Sequence, residues 1–270
     1  MPIRSYLEFD HVYLELSNRR FFNDFSFQVD AGERWLVFGP YGCGKSLIAR
    51  TALGLVPIDA GRLHVLDREV TNMHHDELLH LRRRIGFVPR DNHLIRNSSV
   101  RENLALPLNY QDDVSSRDVR QRMQSLFEFL NLDYWADMRP LALPPLVQKK
   151  VALGQAIARL PDILLIDGLR SRMDPVMREH MNLLVYESFP RWWKQQRGLD
   201  DTAAGPVIVE LTTTLQGIRE YVDHAAMLHN GKFVFQGELA ELQTTDNPYV
   251  KQFRTGALEG PITYRDEGFA

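Results

Sequence analysis

The stretch LVFGPYGCGKS, residues 36–46, decides how the rest of the chain is read. Gly39, Gly44, Lys45 and Ser46 satisfy G-x-x-x-x-G-K-[ST], with an apolar strand signal before the motif and a helical pattern after it. Each residue type has a physical role there. Glycines let backbone N–H groups close on phosphate oxygens, the start of a helix adds positive potential, and a lysine ammonium reaches the terminal phosphates. Ser46 supplies a hydroxyl to Mg²⁺. The candidate nucleotide-binding set is therefore Gly39, Pro40, Tyr41, Gly42, Cys43, Gly44, Lys45, Ser46 and Leu47, with Cys43 read as a small filler rather than a nucleophile. A second stretch, ILLIDGL at 163–169, reads as the buried parallel strand that serves such a loop. It puts Gly168 where a nucleotide hydrolase needs a carboxylate.

Outward from these two segments, composition sets bounds. The 270 residues are 44% hydrophobic and 25% charged, with a formal net charge of -3. That is the balance of a globular protein with a substantial core, and it gives no basic face for nucleic acid. A single cysteine excludes an internal disulfide framework and fits a reducing cytoplasm. No apolar run is long enough to span a bilayer, and MPIRSYLEFD lacks the apolar centre of a signal peptide. Any membrane role is expected to come through a partner.

Along the chain, YLEFDHVYLEL and FSFQVDAGERWLVFG alternate as strands, with Ala31-Gly32 as a turn. A helix is predicted from Lys45 to Leu53, with further strands at RLHVL and IGFVP. Residues from about 95 to 160 are helix-rich: SSRDVRQRMQSLFEFLNL carries a capping serine at 115 or 116, and VQKKVALGQAIARL is a second helix. DILLIDGL and GPVIVELTTT return to buried strands. PRWWKQQRGLDDTAAGP reads as a loop or frayed helix end, with Trp192 and Trp193 as a partner patch or as core under a loop. The pattern predicts an α/β core with a helical subdomain.

The order of these segments resembles the nucleotide-binding subunit of ATP-binding cassette (ABC) transporters over residues 5–240. The resemblance implies a P-loop fold: a RecA-like α/β core, an N-terminal antiparallel β subdomain and an inserted α-helical subdomain at about 95–160. It implies ATP with Mg²⁺ as cofactors, a second ABC subunit as dimer partner and a transmembrane permease. It also implies roles. Asp167 matches the Walker B aspartate, a Mg²⁺ ligand with Ser46, and Asp174 matches the D-loop aspartate. Four parts of the pattern are altered, three of them at single positions: Gly168 replaces the catalytic glutamate, Arg90 the glutamine of the glutamine loop, and Thr213 the switch histidine. Leu143, Pro144, Pro145, Leu146 and Val147 align with the LSGGQ signature and keep only its leucine. Leu16, with Tyr13 nearby, sits near the place of the adenine-stacking aromatic.

Glycine at 168 orients no water, and prolines 144 and 145 offer no backbone N–H to an anion. Arg90 brings a fixed charge to the metal position, repelling Mg²⁺ or partly replacing it. Since each composite site of an ABC dimer joins one phosphate loop to the other subunit's signature, this chain would impair both sites. SSVRENLALPL at 98–108 and the tail NPYVKQFRTGALEGPITYR at 247–265 are similar to the ATPase subunit of Mla (MCE-type) phospholipid transporters. That likeness implies a C-terminal extension, 241–270, reaching the dimer partner, and an MCE-domain protein in the complex. In residue terms YVKQF is a short amphipathic turn, followed by an extended strand after Gly260-Pro261. The expectation is a lipid-transport subunit at the cytoplasmic face of the inner membrane, binding ATP with hydrolysis lost or strongly impaired. The rivals are an active motor using Glu210 as its carboxylate, and a non-transport scaffold.

Overall fold

The computed structural model describes residues 5–109, 115–171, 173–215, 217 and 221–263. Its strands are β1 (Leu7–Leu16), β2 (Arg19–Val29), β3 (Arg34–Phe38), β4 (Ala60–Val65), β5 (Arg68–Glu69), β6 (Ile85–Val88), β7 (Ile163–Asp167), β8 (Val207–Thr212), β9 (His224–His229) and β10 (Lys232–Glu238). Its helices are α1 (Lys45–Ala52), α2 (His75–Arg82), α3 (Val100–Asn109), α4 (Ser116–Leu130), α5 (Pro145–Ile157), α6 (Pro175–Asn182), α7 (Phe189–Arg197), α8 (Glu241–Thr244) and α9 (Pro248–Thr255). A π-helical turn, Leu183–Ser188, joins α6 to α7.

The strands form two sheets. One is antiparallel, in the order β2-β1-β4-β5; the other runs β10-β9-β3-β8-β7-β6 and is parallel from β9 to β6. Period-two alternation divides the parallel sheet between two cores. Trp35, Val37, Ile163, Leu165, Val207 and Val209 face α1 and the antiparallel sheet, where Phe9, Phe22, Phe25 and Phe27 pack edge-on and stacked. Leu36, Phe38, Leu164, Ile166 and Ile208 face the other way, into the core shared with α3, α4 and α5. Burial on both faces is why ILLID and VIVEL read as unbroken apolar runs rather than alternating ones. An antiparallel sheet beside a parallel sheet whose far face is covered by helices is the architecture expected. Ser115 caps α4, accepting from the Asp118 amide at 3.2 Å.

Two expectations are corrected. The segment after Phe189 is a loop only over 198–206: α7 runs to Arg197 because Phe189, Trp192 and Trp193 follow helical i, i+3, i+4 spacing and all three are buried. Trp192 donates to Ser125 Oγ (2.9 Å) on α4, and Trp193 donates to the Pro161 carbonyl (2.7 Å) just before β7. The tryptophans tie the helical insertion to the sheet. Burial of each contributes about 3 kcal/mol. In the tail, the YVKQF segment belongs to an eight-residue helix, α9, capped by Asn247. No strand follows Gly260-Pro261 among the described residues. The chain packs back on its own body instead: Phe253 meets Phe38 at 5.4 Å, and Ile262 is buried. Residues 264–270, on which much of the expected reach to a partner falls, lie outside the described residues.

Candidate nucleotide-binding site

Four loops leave the carboxyl ends of β3, β8, β7 and β6, and sheet order sets them side by side. They carry, in that order, the phosphate loop, Thr213, Gly168 and Arg90. Ligands of open α/β sheets bind along this edge.

The phosphate loop runs from Gly39 into α1. Gly39 has φ +151°, and a Cβ there would collide with the Leu228 carbonyl, so the turn out of β3 requires glycine. Gly44, also at positive φ, occupies the N-cap of α1, and no side chain caps the helix. The first-turn amides are thus left for an anion. Lys45 is buried at the centre, donating to the Gly39 carbonyl (2.9 Å), the Pro40 carbonyl (2.7 Å) and Cys43 Sγ (3.4 Å). Burial pushes its ammonium below the usual lysine value, and the Arg90 charge pushes the same way, against Cys43 and Asp167. A phosphate chain would supply the missing negative charge. The loop therefore fits ATP. Two residues that sequence reasoning missed complete it: Arg19 on β2 donates to the Gly42 carbonyl at 3.0 Å, and its guanidinium lies over the Phe21 ring at 4.8 Å. Both sit on one face of β2 by i, i+2 spacing, the face opposite Phe22, which was the available signal.

Across the cleft, Asp167 ends β7 and is 9% exposed at its side chain. Its Oδ1 accepts from Arg90 Nη2 at 3.3 Å. Lys149 on α5 donates to the Arg90 carbonyl at 3.1 Å, and the Arg90 guanidinium lies 5.9 Å from the Tyr41 ring. Gly168 follows with φ +64° and an amide bonded to the Leu211 carbonyl. Mg²⁺ typically accompanies ATP in folds of this kind, but the residues here do not fit it well. The aspartate that would hold it has an arginine against it. Ser46, the other expected ligand, is the second residue of α1 and is partly buried.

The remaining positions are distributed as follows. Thr213 is exposed at the end of β8 and lines a cavity of about 760 Å³ with Leu215, Gln252, Phe253 and Ile262. Asp174 accepts from the Met177 amide (2.9 Å) as the N-cap of α6. Pro144 and Pro145 start α5 and are exposed, whereas Leu143 is buried, and Leu146 and Val147 pack on the core. Glu210 is not available as a substitute base. It is buried, accepting from Arg170 Nε (2.8 Å) and Tyr186 Oη (2.6 Å), and burial drives the Tyr186 hydroxyl well above its ordinary value. Tyr13 and Leu16 are partly exposed on β1, with no ring contact among the described residues.

The family model described as ABC transporter matches residues 22–169, more than half of the chain. The chain belongs to the ABC transporter family. As a member it is the ATP-binding subunit of an ABC transporter complex, whose nucleotide-binding domains dimerise and join transmembrane permease components. Among curated relatives, this ABC subunit is 28% identical to the protein TRIGALACTOSYLDIACYLGLYCEROL 3, chloroplastic, of Arabidopsis thaliana, over 96% of this chain and 76% of that one. It is 32% identical to the Nod factor export ATP-binding protein I of Bradyrhizobium sp., over 80% of this chain and 65% of that one. Among solved structures it resembles cbiO1 from Clostridium perfringens, part of the ABC transporter complex cbiONQ. The TM-score is 0.76 at 19% identity, covering 90% of this chain and 92% of that one. No helix among the described residues is long and apolar enough to cross a membrane.

Proposed function

We propose that this ABC subunit binds ATP as a structural clamp in a lipid-handling transporter and contributes little or no hydrolysis. One observation carries the reading. The phosphate loop keeps every element that holds phosphate, while the position beside Asp167 has no carboxylate and Arg90 lies on the aspartate itself. Phosphoryl transfer needs a positioned water and neutralised charge, and Gly168 positions nothing. Pro144 and Pro145 remove two donors from the helix start that would face the partner's nucleotide. The motor alternative loses its carboxylate, because Glu210 is committed to Arg170 and Tyr186.

The lipid assignment is supported by the segments at 98–108 and 247–265, and by a relative whose name is that of a galactolipid. An MCE-domain protein and a place on the cytoplasmic face of the inner membrane go with it. For the permease, a groove of about 420 Å³ lined by Phe87, His93, Leu106, Pro107, Gln155 and Arg159 is the docking candidate. In the assembled complex, ATP turnover is expected to equal that of Lys45→Ala, and Gly168→Glu alone is expected not to raise it. Robust turnover that Lys45→Ala abolishes would overturn the clamp reading.

A further inference from the structure

The two replaced residues beside Asp167 fit each other. A Cβ at position 168 would stand 3.3 Å from Arg90 Nε and 3.5 Å from its Cγ, in a backbone conformation with φ +64°. Glycine is what lets the arginine lie against the end of β7 without displacement. The Lys149 bond to the Arg90 carbonyl anchors the arginine's backbone. So held, the guanidinium reaches from Asp167 Oδ1 to the Tyr41 ring, that is, from the Walker B strand to the phosphate loop. Of its five N–H donors, one is used on Asp167 among the described residues, and the side chain is 36% exposed. Its charge also acts on Lys45. Two cations therefore flank one gap, and Asp167 is the carboxylate set against both of them.

That is the arrangement a divalent ion disfavours and a phosphate chain favours. An ion held by Asp167 would have to displace the guanidinium and then sit beside it. A triphosphate meets two cations already in place. We propose that Arg90 stands in for the divalent cation, so that this site takes its nucleoside triphosphate without metal, with Arg90 and Lys45 as counter-charges. The proposal deepens the reading of the phosphate loop as a nucleotide site and rests on it. Arginine suits this role because it is always charged and its planar fork matches two phosphate oxygens at once. Asp167 holds the guanidinium ready over the loop, a positioning role in place of a metal-binding one.

The test is equilibrium binding to the full chain, read as fluorescence anisotropy of a fluorescent ATP analogue and by competition with ATP. Each titration is run in excess EDTA and in excess Mg²⁺. Wild-type affinity is expected to differ by less than about threefold between the two conditions. Arg90→Gln is expected to lose about tenfold or more in EDTA, the scale of one charge-assisted contact, and to recover on adding Mg²⁺. Arg90→Lys, which keeps the charge without the fork, should fall between them. Wild-type affinity falling tenfold in EDTA would overturn the proposal, as would an Arg90→Gln variant that keeps wild-type affinity there. In either case binding that Lys45→Ala abolishes leaves the clamp reading standing. Absence of binding under both conditions sinks both. A thermal melt of each variant separates loss of the site from loss of the fold.

Discussion

Two helices of this molecule begin at segments that the family uses for phosphate, and their first turns are built in opposite ways. α1 starts at Gly44, with uncapped amides and Lys45 buried among loop carbonyls. α5 starts at Pro144 and Pro145, which remove two of the first four donors, and continues with Leu146 and Val147 packed on the core. Proline at the first helical position is well suited to starting a helix, since its φ is already helical and its missing N–H would go unused. The second start is therefore good as a helix and poor as an anion site. The difference shows that nucleating a helix and receiving an anion are separable functions, although both draw on the same backbone.

The largest expected effect strikes the first start. Lys45→Ala should weaken ATP binding by about 100-fold, the loss of a buried charge contacting the terminal phosphates, measured by anisotropy titration. An unchanged affinity would mean that the loop is no more a nucleotide site than α5 is. An intermediate effect would come from rebuilding the second start as Pro144→Ser, Pro145→Gly, Leu146→Gly and Val147→Gln together. Binding to the isolated chain should stay put, while ATP-dependent association with a second ABC subunit should tighten by about tenfold. Sedimentation at matched concentrations reads this, and no gain would show that the proline pair is not what weakens the shared site. The smallest effect belongs to Pro145→Ala. Stability should drop by about 0.5–1 kcal/mol, through added freedom in the unfolded chain, with nucleotide binding untouched. A chemical-denaturation midpoint measures it, and a larger loss would mean that Pro145 does more than start the helix.

The fold is legible wherever the signal is local. The phosphate loop, the doubly buried strands and the Ser115 cap each declare themselves within a short window. Helix α7 is hidden because Pro190 and the polar, turn-rich residues that follow outweigh the 189, 192, 193 spacing that carries it. What sequence does not supply is pairing across the sheet edge. Arg90 and Asp167 are 77 positions apart, and only strand order brings the β6 loop against the end of β7. Likewise Arg19 reaches Gly42 because β2 folds beside the loop, which no window around either residue contains. Glu210 reads as a spare carboxylate until Arg170 and Tyr186 arrive from other elements to claim both of its oxygens.

The Gln252 side chain of α9 closes the tail on itself. Its amide donates to the Ala257 carbonyl (3.2 Å) and the Ile262 carbonyl (2.9 Å), and its oxygen accepts from the Ile262 amide (2.7 Å). One side chain thus treats the Ile262 backbone as a neighbouring strand would, and fixes it beside Thr213 and Leu215. The same side chain makes α9 and the residues up to Thr263 one wall of the cavity that opens after β8, so a substitution at position 252 would be felt at Thr213 as well as along the tail.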